Sequence, residues 1–578
     1  MRGWIVKGML GLLLLLLLAG GGLWIWLMQS LPVTQGSRGL QGLSAEVEVV
    51  RDAHGVPTIR AGTMADAYRA LGFLHAQDRL WQMEMARRFG RGTLSEVAGS
   101  ATLRFDRFAR ALDLATLAER QVERLDAPVV AALEAYAEGV NAHLDGPDGQ
   151  LPPEFQLTGI APAPWRPSDS LLWGKLMALR LSGDWRTELA RSRLLQRLPP
   201  ERVDQLMPAY DATAPSVTAE ELAAAGDAPR MVAGLADPPE EMTAESASNA
   251  WILSGARTTS GAPVLANDPH LGLRLPNSWY LARIETPELT LAGATAPGVP
   301  FHILGHNGKA AWGLTTTHAD SMDLVALVPD PDAPDQRYLT PDAARLYQRE
   351  TVEIPLRGGG TELFERRSTI FGPVLPDEER RVALQWTALR ERDATPAALY
   401  HLNRATTREA FEAAARLFDA PVQNLFWANE AGSIAAAVVG RLPRRAEGRT
   451  GALPRPSDRA DAAWLGLTAP EDMPVAAKPA DGLIANANNR FLAAEASPYP
   501  IARDWPPPYR YERVVEALEG AATPHGLDQS AAVQTDALSV FARRLTPYLL
   551  RAEPSSAPAQ EALALLGQWD HRMAAAST

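Results

Sequence analysis

The residues with the strongest claim to chemistry are Ser248-Asn249-Ala250-Trp251. Ahead of Ser248 runs a soft stretch of small and acidic residues, from Ala223-Ala224-Ala225-Gly226 to Ala244-Glu245-Ser246-Ala247. Behind it, Trp251-Ile252-Leu253 and Val264-Leu265-Ala266 read as extended segments. A spacer that runs straight into a strand headed by a hydroxyl residue suggests a hidden N-terminus. If the Ala247–Ser248 bond is cut, Ser248 carries both a hydroxyl nucleophile and a free α-amine that serves as its base. Other routes to nucleophilic chemistry are poorly supplied. There is no cysteine, hence no thiolate nucleophile, no disulfide and no Cys-ligated zinc. Lysine occurs only at Lys7, Lys175, Lys309 and Lys478. A G-x-S-x-G elbow, H-E-x-x-H and a P-loop are all missing. The histidines show no metal-ligand spacing. His302 and His306 are close in sequence, but Gly305 and the extended pattern around Ile303 argue against one helix face.

The elements that must position Ser248 fall into two regimes. Extended signals at 45–50 and 54–60 come first, then a helical stripe (Ala67, Leu71, Leu74, Trp81, Met85) over Ala65–Phe89, interrupted at Asp78. Helical patterns cover Leu112–Leu144 and Ser168–Leu198, the latter with Ser168 as expected N-cap. The stretch 223–247 has no useful periodicity. Strand signals dominate from Trp251 to Ala326, including 289–294 and 301–304, and recur at 351–356, 382–386, 433–439 and 483–488. Helical patterns return at Leu402–Phe418, Arg513–Glu519 and Gln560–Gln568. Helices first and strands second read as an α+β chain.

Composition sets the compartment and excludes one class of partner. The chain has 578 residues, 46% hydrophobic and 21% charged, with a formal net charge of −12. That is an ordinary globular composition with no basic surface for nucleic acid. Arg2 and Lys7 precede an uncharged apolar run from Gly8 to Met28, long enough to span a bilayer as a helix. Ala19-Gly20-Gly21 offers a signal-peptidase site, but the apolar run continues beyond it. The expectation is a signal anchor that leaves the body exported, on the periplasmic side of an inner membrane.

Ser248-Asn249-Ala250-Trp251, Asn267-Asp268-Pro269-His270-Leu271-Gly272 and Gly305-His306-Asn307-Gly308, in that order, resemble the penicillin acylase family. Trp312-Gly313, Ala485-Asn486-Ala487-Asn488-Asn489, His54-Gly55-Val56-Pro57 and His75-Ala76-Gln77-Asp78-Arg79 add to the resemblance, which covers the chain from about Arg51 onward. It implies a four-layer αββα N-terminal-nucleophile sandwich made by a precursor that cuts itself. Residues 1–30 would be a signal anchor or signal peptide, 31–222 a helix-rich first chain, 223–247 a spacer, and 248–578 a second chain. Many members carry Gly where this chain has Ala247. Members are also longer at the C-terminus, so this chain is expected to be C-terminally truncated.

The resemblance implies roles one residue at a time. Ser248 is the nucleophile, its amine acting through a water. His270 stands at a position that is His or Gln in relatives; it is either an orienting partner for Ser248 or a structural residue after a turn. The Thr316 N–H and the Asn488 side-chain amide face the oxyanion, with Asn486 in support on the same strand face. Arg510 is a neighbour of Asn488, with Arg513 as its rival. Asp320, the Met322 carbonyl and Asp323, with Glu188 and Asp504, form a structural calcium site. Leu271 and Leu304 line an acyl pocket, implying a small N-acylated substrate with an apolar acyl group. Candidate substrates are β-lactam side-chain amides, N-acyl homoserine lactones and other N-acyl amines. Two rivals stand beside this acylase reading: a non-catalytic envelope protein that keeps the fold and binds acylated ligands, and a conventional Ser-His-Asp hydrolase.

Overall fold

A computed structural model describes residues 2–146, 151–210, 217–235, 247–376, 381–476, 481–490, 492, 497–520 and 524–577. The residues ahead of the strand at Ser248, 236–246, which are the second part of the expected spacer, lie outside the described residues. The N-terminal helix α1 (Arg2–Gln29) is the one helix among the described residues long and apolar enough to cross a membrane, with mean hydropathy 2.3.

The site is held between two sheets. Nine strands form the larger: β1 (Glu48–Arg51), β2 (Pro57–Arg60), β5 (Tyr280–Glu285), β6 (Thr290–Thr295), β7 (Leu304–His306), β8 (Ala310–Thr316), β10 (Gln423–Asn429), β11 (Ile434–Val439) and β12 (Val475–Ala476), adjacent in that order. The smaller has β3 (Ala247–Leu253) in the centre, flanked by β4 (Val264–His270) and β13 (Leu483–Asn486), both antiparallel to it. A further strand, β9 (Met322–Ala326), follows β8 and pairs with Val382–Trp386 outside both sheets.

Alternation along β3 explains the stacking. Ala250 and Ile252 pack with Phe426, Ala428, Ile434 and Ala436 of the large sheet. Trp251 and Leu253 point the other way, onto Val514 and Leu518 of a C-terminal helix (Tyr509–Gly520). The opposite face of the large sheet is covered by helices α2 (Met64–Arg91), α3 (Ala127–Leu144) and α4 (Pro167–Leu181), whose apolar stripes share one core with Ile284, Leu291, Trp312 and Trp427. At about 25 cal/mol per Å2 of apolar area removed from water, such faces supply most of the stabilisation. The mixed helix and sheet content agrees with the expected α+β class.

Several local expectations need correction. The helical run at 112–144 is broken, with Asp113 left-handed at φ 54° and a new helix starting after Asp126. The run at 168–198 breaks at Ser182–Gly183, where α5 (Asp184–Leu195) begins. Ser168 is not the N-cap of α4. That position is Arg166, followed by Pro167 at the first turn, and Asp169 accepts the Arg166 N–H at 2.9 Å. The stretch from 223 is not irregular: helices Ala219–Ala225 and Ala228–Val232 form, the first closed by Thr218 and Glu221. Alanine-rich chain is a good helix former even without an apolar stripe.

The expected 301–304 strand and 402–418 helix fail together. Asn403 breaks the helix, which resumes at Arg408, and its amide bonds both backbone groups of His302 (3.0 and 2.8 Å), standing in for a neighbouring strand.

Candidate active site

Ser248 is buried on β3, opposite Pro269, while Ala247 faces His270 and Asn249 faces Asp268. Opposed residues share a face, so Ser248 looks towards the large sheet and His270 looks away. The His270 ring accordingly bonds Asp268 (2.8 Å), which also accepts from Asn249 Nδ2 (3.1 Å). The expectation that His270 orients Ser248 is therefore corrected. The register puts its ring on the other side of the sheet.

Asn488 performs the contact instead. The Ser248 N–H donates to Asn488 Oδ1 at 2.7 Å, and Asn488 Nδ2 donates to the Thr316 carbonyl at 2.8 Å. Arg510 clamps the pair: Nη1 donates to Ser248 O (2.9 Å) and Asn249 Oδ1 (2.8 Å), and Nη2 to Asn488 Oδ1 (2.8 Å). Arg513, the rival, is engaged with Asp536 at 3.0 Å. Asn488 is left-handed at φ 67°, a conformation costly for most residues and tolerated by asparagine. The expected shared strand face of Asn486 and Asn488 is corrected, because β13 ends at Asn486. Asn486 still supports the site: its Oδ1 accepts the Asn488 N–H (3.0 Å) and the Thr315 hydroxyl (2.7 Å).

The two sheets are stitched at this point by Asn267, which sequence reasoning missed. Its Nδ2 donates to Asn249 O and Leu314 O, and its Oδ1 accepts the Leu314 N–H (2.8, 3.1 and 2.9 Å). A Cβ at Gly313 would lie 2.7 Å from Asn267 Oδ1, which is why glycine follows Trp312.

On the side Ser248 faces lies an apolar cavity of about 110 Å3, lined by Trp173, Met177, Leu271, Leu304, Thr316 and Phe418 among others. Leu271 and Leu304 thus stand where an acyl pocket was expected. His318, two residues past Thr316, is another non-glycine left-handed residue (φ 51°). Burial, then Arg510 and Arg186, push its imidazole down to about 4, so it is neutral at pH 7.

The acidic cluster departs from expectation. Asp323 is fully buried and already engaged by Arg445 (Nε to Oδ2 2.9 Å, Nη2 to Oδ1 3.1 Å), Arg449 (2.9 Å) and Trp464. Arg445 also donates to Asp320 Oδ1 at 2.7 Å. Glu188 accepts the Leu324 N–H, Asp184 accepts the Met322 N–H, and Asp504 pairs with Arg191. Among the described residues no group of three or more acids or histidines is placed to hold a metal. Of the residues expected to hold calcium (Glu188, Asp320, Met322, Asp323 and Asp504), Asp320 and Asp323 pair with Arg445, while Glu188 Oε1 and the neighbouring Asp184 Oδ1 are buried without a hydrogen-bond partner. Burial, opposed by Arg445, brings the Asp320 carboxyl up to about 6, and burial with Asp323 drives Glu188 well above the usual range. Asp184, Arg445 and Arg449 carried no sequence signal, being far apart in the chain.

The sequence profile of a family described as penicillin amidase matches residues 46–578. Penicillin acylase 2 proenzyme of Pseudomonas sp. (strain SE83) is 33% identical, over 95% of this chain and 72% of its own length. The acyl-homoserine lactone acylase QuiP of Pseudomonas aeruginosa is also 33% identical, over 89% of this chain and 63% of its own. Penicillin G acylase of Escherichia coli is 27% identical, over 77% and 59%. The chain thus spans roughly two thirds of the length of the curated relatives it matches.

Proposed function

The chain belongs to the penicillin amidase family, and from that premise we propose that it is an amidohydrolase that cleaves linear amides of N-acylated small molecules through Ser248. The observation that carries the reading is the Ser248 nitrogen held on Asn488 Oδ1 beside an apolar cavity. Cleavage of the Ala247–Ser248 bond converts that nitrogen from a peptide amide into an α-amine already positioned by Asn488 and Arg510. The amine, through a water, takes the Ser248 hydroxyl proton as Oγ attacks the substrate carbonyl. Negative charge on the carbonyl oxygen is met by the second N–H of Asn488 Nδ2 and the Thr316 N–H. The amine product leaves with the proton, and water then hydrolyses the acyl ester.

The acyl group is apolar, because the cavity wall offers it leucine, methionine, tryptophan and phenylalanine side chains. The αββα order of an N-terminal-nucleophile hydrolase belongs to this reading, supported by the helices packed on one sheet and the Tyr509–Gly520 helix packed on the other. The protein works as two chains made from one, and α1 tethers it to a membrane with the body exported. The test is release of free amine from N-acyl amides with apolar acyl groups, by wild type and by Ser248→Ala. The wild type releases amine and the variant none. A wild type inert towards every such amide contradicts the proposal.

A further inference from the structure

Between β4 and β5 the chain leaves the body at 272–277, where every residue is exposed. Leu273 and Leu275 are fully exposed, and Arg274 lies exposed between them. The residues that bracket this loop, Leu271 and Trp279, both line the apolar cavity, so the loop stands at the cavity rim. A single exposed leucine is ordinary on a protein surface, whereas two bare leucines around a cation at a cavity rim call for a covering phase.

The membrane helix supplies one. Tryptophan collects where a spanning helix meets the headgroups, and Trp24 and Trp26 stand near the end of α1. Trp26 Nε1 donates to Gln156 Oε1 at 2.6 Å, which sets the helix Pro153–Thr158 at that level, with Leu157 exposed beside it. Phe155 of the same short helix packs edge-on against Trp81 of α2, at 5.0 Å between centroids. Gln77 of α2 donates to the Val33 carbonyl, just past α1, at 3.1 Å. Arg79 Nη1 and Gln82 Nε2 both donate to the Asn277 carbonyl at 3.0 Å. One short stretch of α2, 77–82, thus joins the end of the tether, the Leu157 helix and the leucine loop.

We propose that the 272–277 loop docks on the bilayer that holds α1. Leu273 and Leu275 enter the boundary between headgroups and acyl chains, Arg274 meets lipid phosphates, and Leu157 sits beside them. The rim of the apolar cavity is then seated at the lipid surface, where apolar acyl groups concentrate. The inference rests on α1 being a membrane tether, and the chemistry at Ser248 is unchanged by it.

The chain has no cysteine, so one introduced thiol takes one label. The test uses the full chain in vesicles of phosphatidylcholine and phosphatidylglycerol, with a fluorophore at Leu275→Cys. Leu15→Cys in α1 and Leu465→Cys, an exposed position away from the loop, serve as references. A nitroxide-bearing lipid is expected to quench most of the emission at 275 and at 15, and little at 465. Adding Arg274→Glu is expected to weaken quenching at 275 and leave it intact at 15. Quenching at 15 with 275 behaving like 465 overturns the docking and leaves the tether standing. Absence of quenching at 15 overturns the tether, and this inference with it. Unchanged quenching at 275 in Arg274→Glu overturns the role given to Arg274.

Discussion

Asn488 Oδ1 accepts the Ser248 N–H at 2.7 Å although the two residues are 240 positions apart in the chain. The same amide donates to the Thr316 carbonyl, so one side chain fixes the Ser248 nitrogen and the end of β8. The site therefore depends on Asn488 presenting both an acceptor and a donor.

Asn488→Asp keeps the acceptor and loses the donor, whereas Asn488→Ala loses both. Both variants are expected to lower kcat by roughly 10²–10³-fold, as loss of an oxyanion donor does. Steady-state kinetics check this. Near-normal kcat in Asn488→Asp would limit the residue to holding the nitrogen.

Arg510 and Arg513 separate cleanly. Arg510→Lys cannot reach three acceptors with one ammonium and is expected to cost roughly tenfold or more in kcat/KM. Arg513→Ala breaks a partly exposed pair with Asp536 and should change stability by about 1 kcal/mol or less, with kinetics unaltered.

No calcium requirement is expected. Chelation is expected to leave Tm and kcat/KM unchanged, because Arg445 supplies the positive charge beside Asp320 and Asp323. Arg445→Ala leaves Asp320 without its guanidinium and Asp323 with Arg449 as its remaining cation, and should cost about 3–5 kcal/mol in denaturant unfolding, with added Ca2+ restoring part of it. A wild-type Tm that falls on chelation contradicts this.

His75 and His302 are fully buried, and burial pushes their imidazoles down to about 3 and about 4. Below the unfolded value of 6.5 the unfolded chain binds protons that the native one refuses. The stability contributed by these groups is therefore complete above pH 6.5 and is lost as pH falls towards 4 and 3, at about 1.4 kcal/mol per pH unit for each group. Tm against pH should bend downward already near pH 6, and the slope should flatten in His75→Gln.

Much of the site was legible because its residues lie in short motifs. Ser248 heads a strand, Asn486 and Asn488 sit together at a strand end, and Arg510 follows within one more segment. The strand 382–386 coincides with its expected bounds. What escaped depends on register and long-range approach. A one-residue slip between β3 and β4 would have put His270 on Ser248's face. Nothing local says that Arg445, over a hundred residues beyond Asp323, occupies the space where a cation was expected. Asn267 and Gly313 meet only because the two sheets stack.

The most direct measurement is intact mass with N-terminal sequencing of the purified protein, beside Ser248→Ala. Two chains are expected from the wild type, one beginning Ser-Asn-Ala-Trp, and a single uncut chain from the variant. A folded wild type that stays as one chain would leave Ser248 without its amine and contradict the account.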